Sequence, residues 1–306
     1  MAFTLTWAGE CSAWECDELG HLNMRHYVYK TAQARAGLII RMGLPEAFKT
    51  DTASSIRVKD FHIKYQAEAR PGDPLKIESG VVSLQDETAQ LCHIMYHANG
   101  RIAATVVETV EHVYLREMRK FNWPSRVRDQ IDTFTVQLPA PAKPRNIDLS
   151  DPQTGMSLSD LHALGLKTSG AGVFGPQETD NTGRVTPQAF FGRTTSSIGW
   201  YNEGWPEIHD ADYRKGGGMA ALLEARAVFH SWPEAGDAYA YVPGFLGANT
   251  YTRTILHNLL NPITGQSYMS TVAVGYLFNT KTRSLVKTTP DQVEQVNKAM
   301  VEGLHA

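Results

Sequence analysis

The chain has 306 residues, 29 Lys and Arg against 32 Asp and Glu for a formal net charge of −3, and 3 cysteines. That length holds two domains with real cores, the charge balance argues against a generic nucleic-acid binder, and Cys11, Cys16 and Cys92 are too few and too unpatterned for a disulfide framework. The start, Met1-Ala2-Phe3-Thr4-Leu5-Thr6-Trp7, lacks a basic region and a long apolar run, and no stretch approaches about 18 uninterrupted apolar residues, so neither a signal peptide nor a membrane span is expected and a soluble cytoplasmic protein is the default.

A short strand is expected at about Phe3–Trp7. Next stands Trp14-Glu15-Cys16-Asp17-Glu18-Leu19-Gly20-His21-Leu22-Asn23, an acidic motif running into a helix that Asn23 can cap. In that helix Val28, Ala32, Ala36 and Ile39 or Ile40 recur at spacings of three and four, which makes one helical face. Its small residues, Ala32, Ala34, Ala36 and Gly37, would let a sheet wrap closely around it. Four strand-like runs follow, Ile56–Tyr65, Leu75–Leu84, Ala89–Ala98 and Ile102–Leu115, separated by Pro-Gly-Asp and Asn-Gly turn signals. The alternation of Val81 and Ser83, and of Cys92, Ile94 and Tyr96, has period two, as in antiparallel strands with one buried face. The basic stretch Arg116–Arg128 reads as an exposed helix. Leu138-Pro139-Ala140-Pro141-Ala142-Lys143-Pro144 reads as a stiff, extended linker that cannot sit inside a sheet.

The second half repeats the order. A strand at about Leu166–Phe174 precedes Glu178-Thr179-Asp180-Asn181-Thr182-Gly183-Arg184-Val185-Thr186. Thr186 followed by Pro187 is a strong helix start, an N-cap hydroxyl before a proline at the first helical position. Phe190, Phe191, Thr194, Thr195 and Ile198 form the helical face, and strands are expected at Asp237–Pro243, Ala248–Leu260 and Gly265–Asn279. Gly216-Gly217-Gly218 reads as a flexible turn after the helix, with an anion-binding nest as the alternative.

The two halves are in register. Glu15, Asp17, Gly20, Leu22 and Tyr27 fall on Glu178, Asp180, Gly183, Val185 and Phe190 at a constant offset of 163 residues. Arg70-Pro71-Gly72-Asp73 answers Glu234-Ala235-Gly236-Asp237 at 164, and Asn99-Gly100 answers Thr264-Gly265 at 165. A domain-sized period is a duplication and not a solenoid. The expected organisation is a first repeat over 1–118, a linker over 119–164 and a second repeat over 165–306.

These residues resemble the hotdog fold, and in detail its 4-hydroxybenzoyl-CoA thioesterase-like branch of acyl-CoA and acyl-ACP thioesterases. That branch carries an acidic-x-Asp-x-x-Gly-His-[Leu/Val]-Asn-x-x-x-Tyr motif entering the helix. Asp17, Gly20, His21, Asn23 and Tyr27 stand on its positions, Glu15 replaces a frequent aspartate, and Gly72-Asp73 suits the turn before a central strand. The resemblance covers about 1–118 and 165–285. It implies an α+β class of tandem hotdog folds, each an antiparallel sheet wrapped round a central helix, forming an internal pseudo-dimer with sites at the seam between repeats. Further assembly into a homo-oligomer of pseudo-dimers stays open. The second repeat departs from the pattern, with Arg184 where His21 stands and Thr186 where Asn23 stands, so one competent site around Asp17 is expected, the other being lost or recast for binding.

The resemblance implies a hydrolase of acyl-CoA, or of acyl-ACP, in fatty acid metabolism. A thioester needs a carboxylate to attack or to deprotonate water, and donors for the growing oxyanion; its thiolate leaves with little acid assistance. Asp17 would supply the carboxylate, the first-turn amides of the helix the oxyanion site, and His21 or Asn23 the orientation of water or thioester. Gly20, Leu22, Tyr27, Asp180, Arg184 and Thr186 are the substrate-binding candidates. Plainer roles stand beside these: a turn carboxylate for Asp17, a structural hydrogen bond for His21, the helix cap for Asn23, packing for Tyr27, and solvation or pairing for Glu15 and Glu178. Cys11, Cys16 and His21 have a C-x4-C-x4-H spacing that fits no standard zinc motif, and His93 with His97 reads as packing or surface, so no metal is expected. There is no Gly-x-Ser-x-Gly and nothing supports a flavin or nicotinamide cofactor. Three alternatives remain, a hotdog acyl-CoA hydratase or dehydratase, a non-catalytic acyl-CoA sensor, and a structural subunit, for which nothing speaks; the acyl group is not given.

Overall fold

The computed structural model describes residues 2–150 and 154–306; positions 151–153 of the expected linker lie outside the described residues. Two compact units emerge, one running to Pro144 and including Gly175–Gly192, the other made of Arg145–Phe174 and Arg193–Ala306.

In the first unit β1 (Thr4–Glu10) leads through the acidic motif to α1 (Met24–Arg41), followed by β2 (Ser54–Tyr65), β3 (Pro74–Leu84), β4 (Thr88–His97) and β5 (Ile102–Tyr114). The sheet is antiparallel throughout, in the order β1-β3-β4-β5-β2. Helix α1 packs on β1, β3 and β4. The small residues of α1 make this possible: a Cβ added to Gly37 would stand 2.7 Å from the Thr6 carbonyl oxygen of β1. Gly37→Ala is therefore expected to lower stability by about 1 kcal/mol. The usual helix gain of about 1 kcal/mol for Gly to Ala is outweighed by an overpacking cost of about 1–3 kcal/mol, because the obstacle is backbone. A denaturant midpoint measures this.

The second unit contains α3 (Leu158–Ala163), β7 (Gly170–Val173), α5 (Ala211–Lys215), β8 (Gly218–Phe229), β9 (Ala238–Ala248), β10 (Arg253–Leu260), β11 (Ser267–Asn279), β12 (Ser284–Leu285) and α6 (Pro290–Asn297). The unit boundary falls inside α4 (Pro187–Ser197). The order is β7-β9-β10-β11-β8, again antiparallel, the same sequence of strands as in the first unit. Each sheet also carries a two-residue addition to its long strand, β6 (Arg119–Lys120) on β5 and β12 on β11. The turns leading to them hold Met118 and Arg283, the non-glycine residues with positive φ among those described.

Several expectations are corrected. Arg116–Arg128 is not one helix but the β6 hairpin and a single turn, α2 (Ser125–Arg128). Phe121 and Trp123 are drawn onto the His112 ring, with centroids 4.0 and 5.1 Å away, and Trp123 N donates to Asp86 O, which holds the chain extended as far as Pro124. The proline-rich segment is docked instead of free: Ala142 is buried with Cys92, Ile94 and Val107, and Lys64 Nζ donates to the Pro141 and Lys143 carbonyls at 2.9 and 2.8 Å. The triglycine is only partly a turn, since Gly217 has φ +92° while Gly218 opens β8, a strand that no expectation covered. Strand β9 runs through Pro243, which is tolerated because β7 pairs with β9 only as far as Tyr241, leaving no ladder for the missing N–H to break on that side. Ala248–Leu260 is split by a turn in which Asn249 Oδ1 accepts from the N–H groups of Tyr251 and Thr252.

Each sheet buries a histidine on its second hairpin strand. In the first unit Ser79 Oγ lies 2.6 Å from His93 Nδ1, and His93 Nε2 lies 3.0 Å from Glu108, which also pairs with Arg35 of α1 at 2.7 Å. Burial raises the Glu108 pKa, but Arg35 and His93 outweigh it and hold the carboxyl below its usual range. In the second unit the Tyr241 hydroxyl lies 2.7 Å from His257 Nδ1. Burial alone lowers His257 from 6.5 to about 4. The folded state thus binds this proton less readily than the unfolded chain, so stability is full above pH 6.5 and declines as pH falls toward 4, by roughly 3 kcal/mol at about 1.36 kcal/mol per unit. His257→Gln is expected to flatten that part of the stability–pH curve, read by urea unfolding between those two pH values.

Candidate active site

The acidic motif folds as a tight loop between β1 and α1. Cys16 and Leu22 form an isolated antiparallel bridge, Asp17 N donates to His21 O at 2.9 Å, and Gly20 N donates to Asp17 O at 3.0 Å. Gly20 sits at φ +73°, a conformation that glycine adopts without strain. Asp17 Oδ1 accepts from the N–H groups of Leu19 and His21 at 3.0 and 3.4 Å. The loop is tied below by Leu22 N to Ala69 O and by Asn23 N to Glu15 O.

The second copy of the motif repeats the backbone bonds within the loop. Thr179 bridges Val185, Asp180 N donates to Arg184 O, Gly183 N to Asp180 O and Thr186 N to Glu178 O. Asp180 Oδ1 accepts from the N–H groups of Thr182 and Arg184, and also from the Thr182 hydroxyl. Gly183 has φ +77°. The equivalence that the register of residues suggested is present at the level of individual donors and acceptors.

The surroundings of Asp17 differ from those of Asp180. His21 stands between two carboxylates, with Nδ1 4.0 Å from Asp17 and Nε2 3.5 Å from Glu68 Oε1. Asp17 Oδ2 has no hydrogen-bond partner among the described residues, and the Asp17 side chain is a quarter exposed. Asn23 is the helix cap, its Oδ1 accepting from Arg25 N at 3.1 Å, and His26 N donates to Asn23 O. The Met24 N–H at the head of α1 makes no hydrogen bond among the described residues, which leaves one first-turn donor beside the motif. Leu22 and Tyr27 are buried. Tyr27 meets Tyr65 edge to face at 5.2 Å, and its hydroxyl, raised in pKa by burial, meets the Ala69 backbone. Gly20 has nothing within 4 Å of where a Cβ would stand, so this face is open. Asp180, Arg184 and Thr186 lie in the second copy, where the Thr186 hydroxyl accepts from Ala189 N at 3.3 Å and caps α4.

Beneath the loop lies a buried ion pair. Glu15, two residues before Asp17, accepts from Lys30 Nζ at 2.8 and 2.7 Å and from Ser12 N at 2.9 Å. Lys30 Nζ also donates to Glu10 O and lies 4.8 Å over the Trp7 ring. Sequence reasoning missed Lys30 and Glu68. Lys30 had a signal, since Arg193 occupies its place in the second repeat at the same offset of 163; Glu68 had none, its counterpart being Trp232.

Among the described residues no group of three or more His, Cys, Asp or Glu side chains is placed to hold a metal ion, and no helix is long and apolar enough to cross a membrane. A cavity of about 440 Å³ in the second unit, with Lys167, Ser169, Trp200 and Glu203 in its wall, includes none of the candidate residues.

The model of the thioesterase-like superfamily matches residues 11–131. A stretch of 125 residues is 25% identical to an L-carnitine dehydrogenase/betainyl-CoA thioesterase of Agrobacterium fabrum, a match covering 41% of this chain and 26% of that protein. The chain therefore spans about a quarter of that relative. Among solved structures, an oleoyl thioesterase of Lactobacillus plantarum superposes with a TM-score of 0.66 at 11% identity, covering 89% of this chain and 96% of the other. A 12:0-ACP thioesterase of Umbellularia californica does so with 0.64 at 9% identity, covering 88% and 92%. At these identities the likeness speaks for the fold, and the α+β hotdog expectation is borne out.

Proposed function

We propose that this protein hydrolyses acyl thioesters at the Asp17 loop, which lies within the residues 11–131 that match the model of the thioesterase-like superfamily. The observation that carries this reading is the division of labour within one carboxylate. Asp17 Oδ1 holds the loop through two backbone N–H groups, and Oδ2 is left to act beside the N-terminus of α1.

In this reading Asp17 Oδ2 attacks the thioester carbonyl carbon, or takes the proton of a water that does so. The carbonyl oxygen gains negative charge as the tetrahedral intermediate forms. The Met24 N–H and the positive end of the helix stabilise it, an effect worth roughly 2.7–4 kcal/mol per donor in acyl transfer. Collapse expels the thiolate: on the water route it takes back the proton held by Asp17 and leaves as thiol, and on the covalent route a water then hydrolyses the Asp17 acyl anhydride, releasing the acid, with its proton passing to the thiolate. His21, standing between Asp17 and Glu68, orients the water. Gly20 leaves room for the thioester to approach, while Leu22 and Tyr27 shape the floor beneath the loop. Asp180, Arg184 and Thr186 serve binding: the Arg184 cation suits the anionic phosphate found both in coenzyme A and in the phosphopantetheine arm of an acyl carrier protein.

The test is thiol release from acetyl- through palmitoyl-CoA, benzoyl-CoA and phenylacetyl-CoA, and from the matching acyl carrier protein thioesters. Turnover of one or more of them supports the reading and names the acyl group and carrier. Tight binding of an acyl-CoA with no thiol released from any carrier overturns it in favour of a sensor.

A further inference from the structure

Two of the three cysteines meet beside the Asp17 loop. Cys11 follows β1 directly and Cys16 immediately precedes Asp17, and their sulfurs lie 3.5 Å apart. A disulfide needs about 2.05 Å, so the sulfurs must approach by about 1.5 Å. We propose that Cys11 and Cys16 are a redox modification site, a dithiol that a hydroperoxide converts to a disulfide and whose closure displaces Asp17.

The two thiols have unequal access. Cys11 is fully buried, whereas Cys16 is partly exposed and offers its S–H to the Ser12 carbonyl at 3.6 Å. Oxidant therefore meets Cys16 first. The Cys16 sulfur attacks one peroxide oxygen and the O–O bond breaks, giving a sulfenic acid and, for hydrogen peroxide, one water. The Cys11 sulfur then attacks the Cys16 sulfur, and the S–O bond breaks. The departing hydroxide takes the Cys11 proton as a second water. Two thiols lose two electrons and two protons, and one peroxide is reduced. Burial, then the hydrogen bond and charge of Cys16, push the Cys11 thiol up to about 12, so Cys11 waits as a thiol until Cys16 has become electrophilic.

The backbone decides which residue moves. Cys11 is clamped on both sides, its N–H donating to Asp73 O at 2.9 Å and its carbonyl accepting from Gly72 N at 2.8 Å. The movement falls on Cys16, whose N–H makes a longer bond, to Ala13 O at 3.2 Å, and which is bridged to Leu22 across the loop and bonded covalently to Asp17. In the second repeat the corresponding positions are Phe174 and Thr179, so the second Asp loop has no such device. Cys92 lies apart in the β4–β5 core and serves as an internal reference thiol.

The test is intact mass and thiol alkylation of the whole protein before and after hydrogen peroxide, followed by peptide mapping. The expected result is a loss of the mass of two hydrogens, one remaining alkylatable thiol after unfolding, and a linked Cys11–Cys16 peptide. Cys16→Ser and Cys16→Ala lose that change, and Cys92→Ala keeps it. Addition of oxygen atoms at Cys16 without cross-linking, or no modification at all, overturns the proposal. The effect on activity rests on the thioesterase reading: the oxidised form is expected to lose about tenfold in turnover and to recover it with dithiothreitol. Cross-linking in a protein whose reduced form hydrolyses nothing sinks the thioesterase reading and leaves the dithiol site. Normal turnover with no cross-link sinks the dithiol alone.

Discussion

Lys30→Met is expected to destabilise the protein by about 3–5 kcal/mol, the usual cost of removing one partner from a buried ion pair. Glu15 and Lys30 are each only 3% exposed, and Lys30 supplies both short bonds to the carboxylate. Without it Glu15 keeps the Ser12 N–H and the His26 ring, with Nδ1 3.9 Å away, in place of the ammonium that balanced its desolvated charge. The same chemistry sets a pH signature. A carboxylate left unpaired in the interior takes up a proton more readily than in the unfolded chain. The deficit of the variant therefore shrinks on acidification and grows as pH rises toward neutrality. Glu15→Leu with Lys30→Met removes both charges and is expected to recover most of the loss. Urea unfolding at two pH values checks all three statements, and a Lys30→Met deficit independent of pH would contradict them. Because Glu15 O also receives Asn23 N, the pair anchors the base of the loop that presents Asp17.

Asp17→Asn is expected to cost at least ~100-fold in kcat, about 2.7 kcal/mol of transition-state stabilisation. Asparagine is the informative replacement. Its amide oxygen can still accept the Leu19 and His21 N–H groups, so the loop keeps its shape, while the side chain can neither attack nor take a proton from water. Stability should therefore change little. A variant that loses both stability and turnover would point instead to a carboxylate needed only to build the turn.

The fold was legible where the signals are local. Pro71-Gly72-Asp73 and its second copy announce their turns because Gly72 and Gly236 take φ +86° and +97°, and the following aspartates accept from Arg70 N and Glu234 N at 2.8 Å. Such chemistry needs no tertiary context. Strand β8 was not legible for the opposite reason. Its sequence, Gly-Met-Ala-Ala-Leu-Leu-Glu-Ala-Arg-Ala-Val-Phe, is rich in helix formers, and only pairing with β11 along its length makes it a strand. The helix expected over Arg116–Arg128 failed because the chain turns back at the β6 hairpin, and His112 on the preceding strand captures Phe121 and Trp123.

For the candidate site, the two Asp loops could be read from spacing because every bond within them is short-range. What surrounds them could not. Lys30 reads as a solvated residue on a helix until the strand end at Glu10 and the motif at Glu15 converge on it. Glu68 reaches His21 only because the chain returns after β2 and pairs through Ala69 with Leu22. The meeting of Cys11 with Cys16 was hidden by a spacing that matches no metal motif, although a disulfide-forming pair needs none.

The most direct test of the central claim uses the duplication as its own control: kcat and KM for thiol release with the preferred acyl thioester, for wild type, Asp17→Asn and Asp180→Asn. Both substitutions remove one negative charge from a loop whose carboxylate accepts from two corresponding backbone N–H groups, Asp180 accepting also from the Thr182 hydroxyl. The account predicts that Asp17→Asn loses at least ~100-fold in kcat, while Asp180→Asn keeps kcat within about threefold and acts through KM. Equal losses of kcat in the two variants, or none in Asp17→Asn, would contradict it.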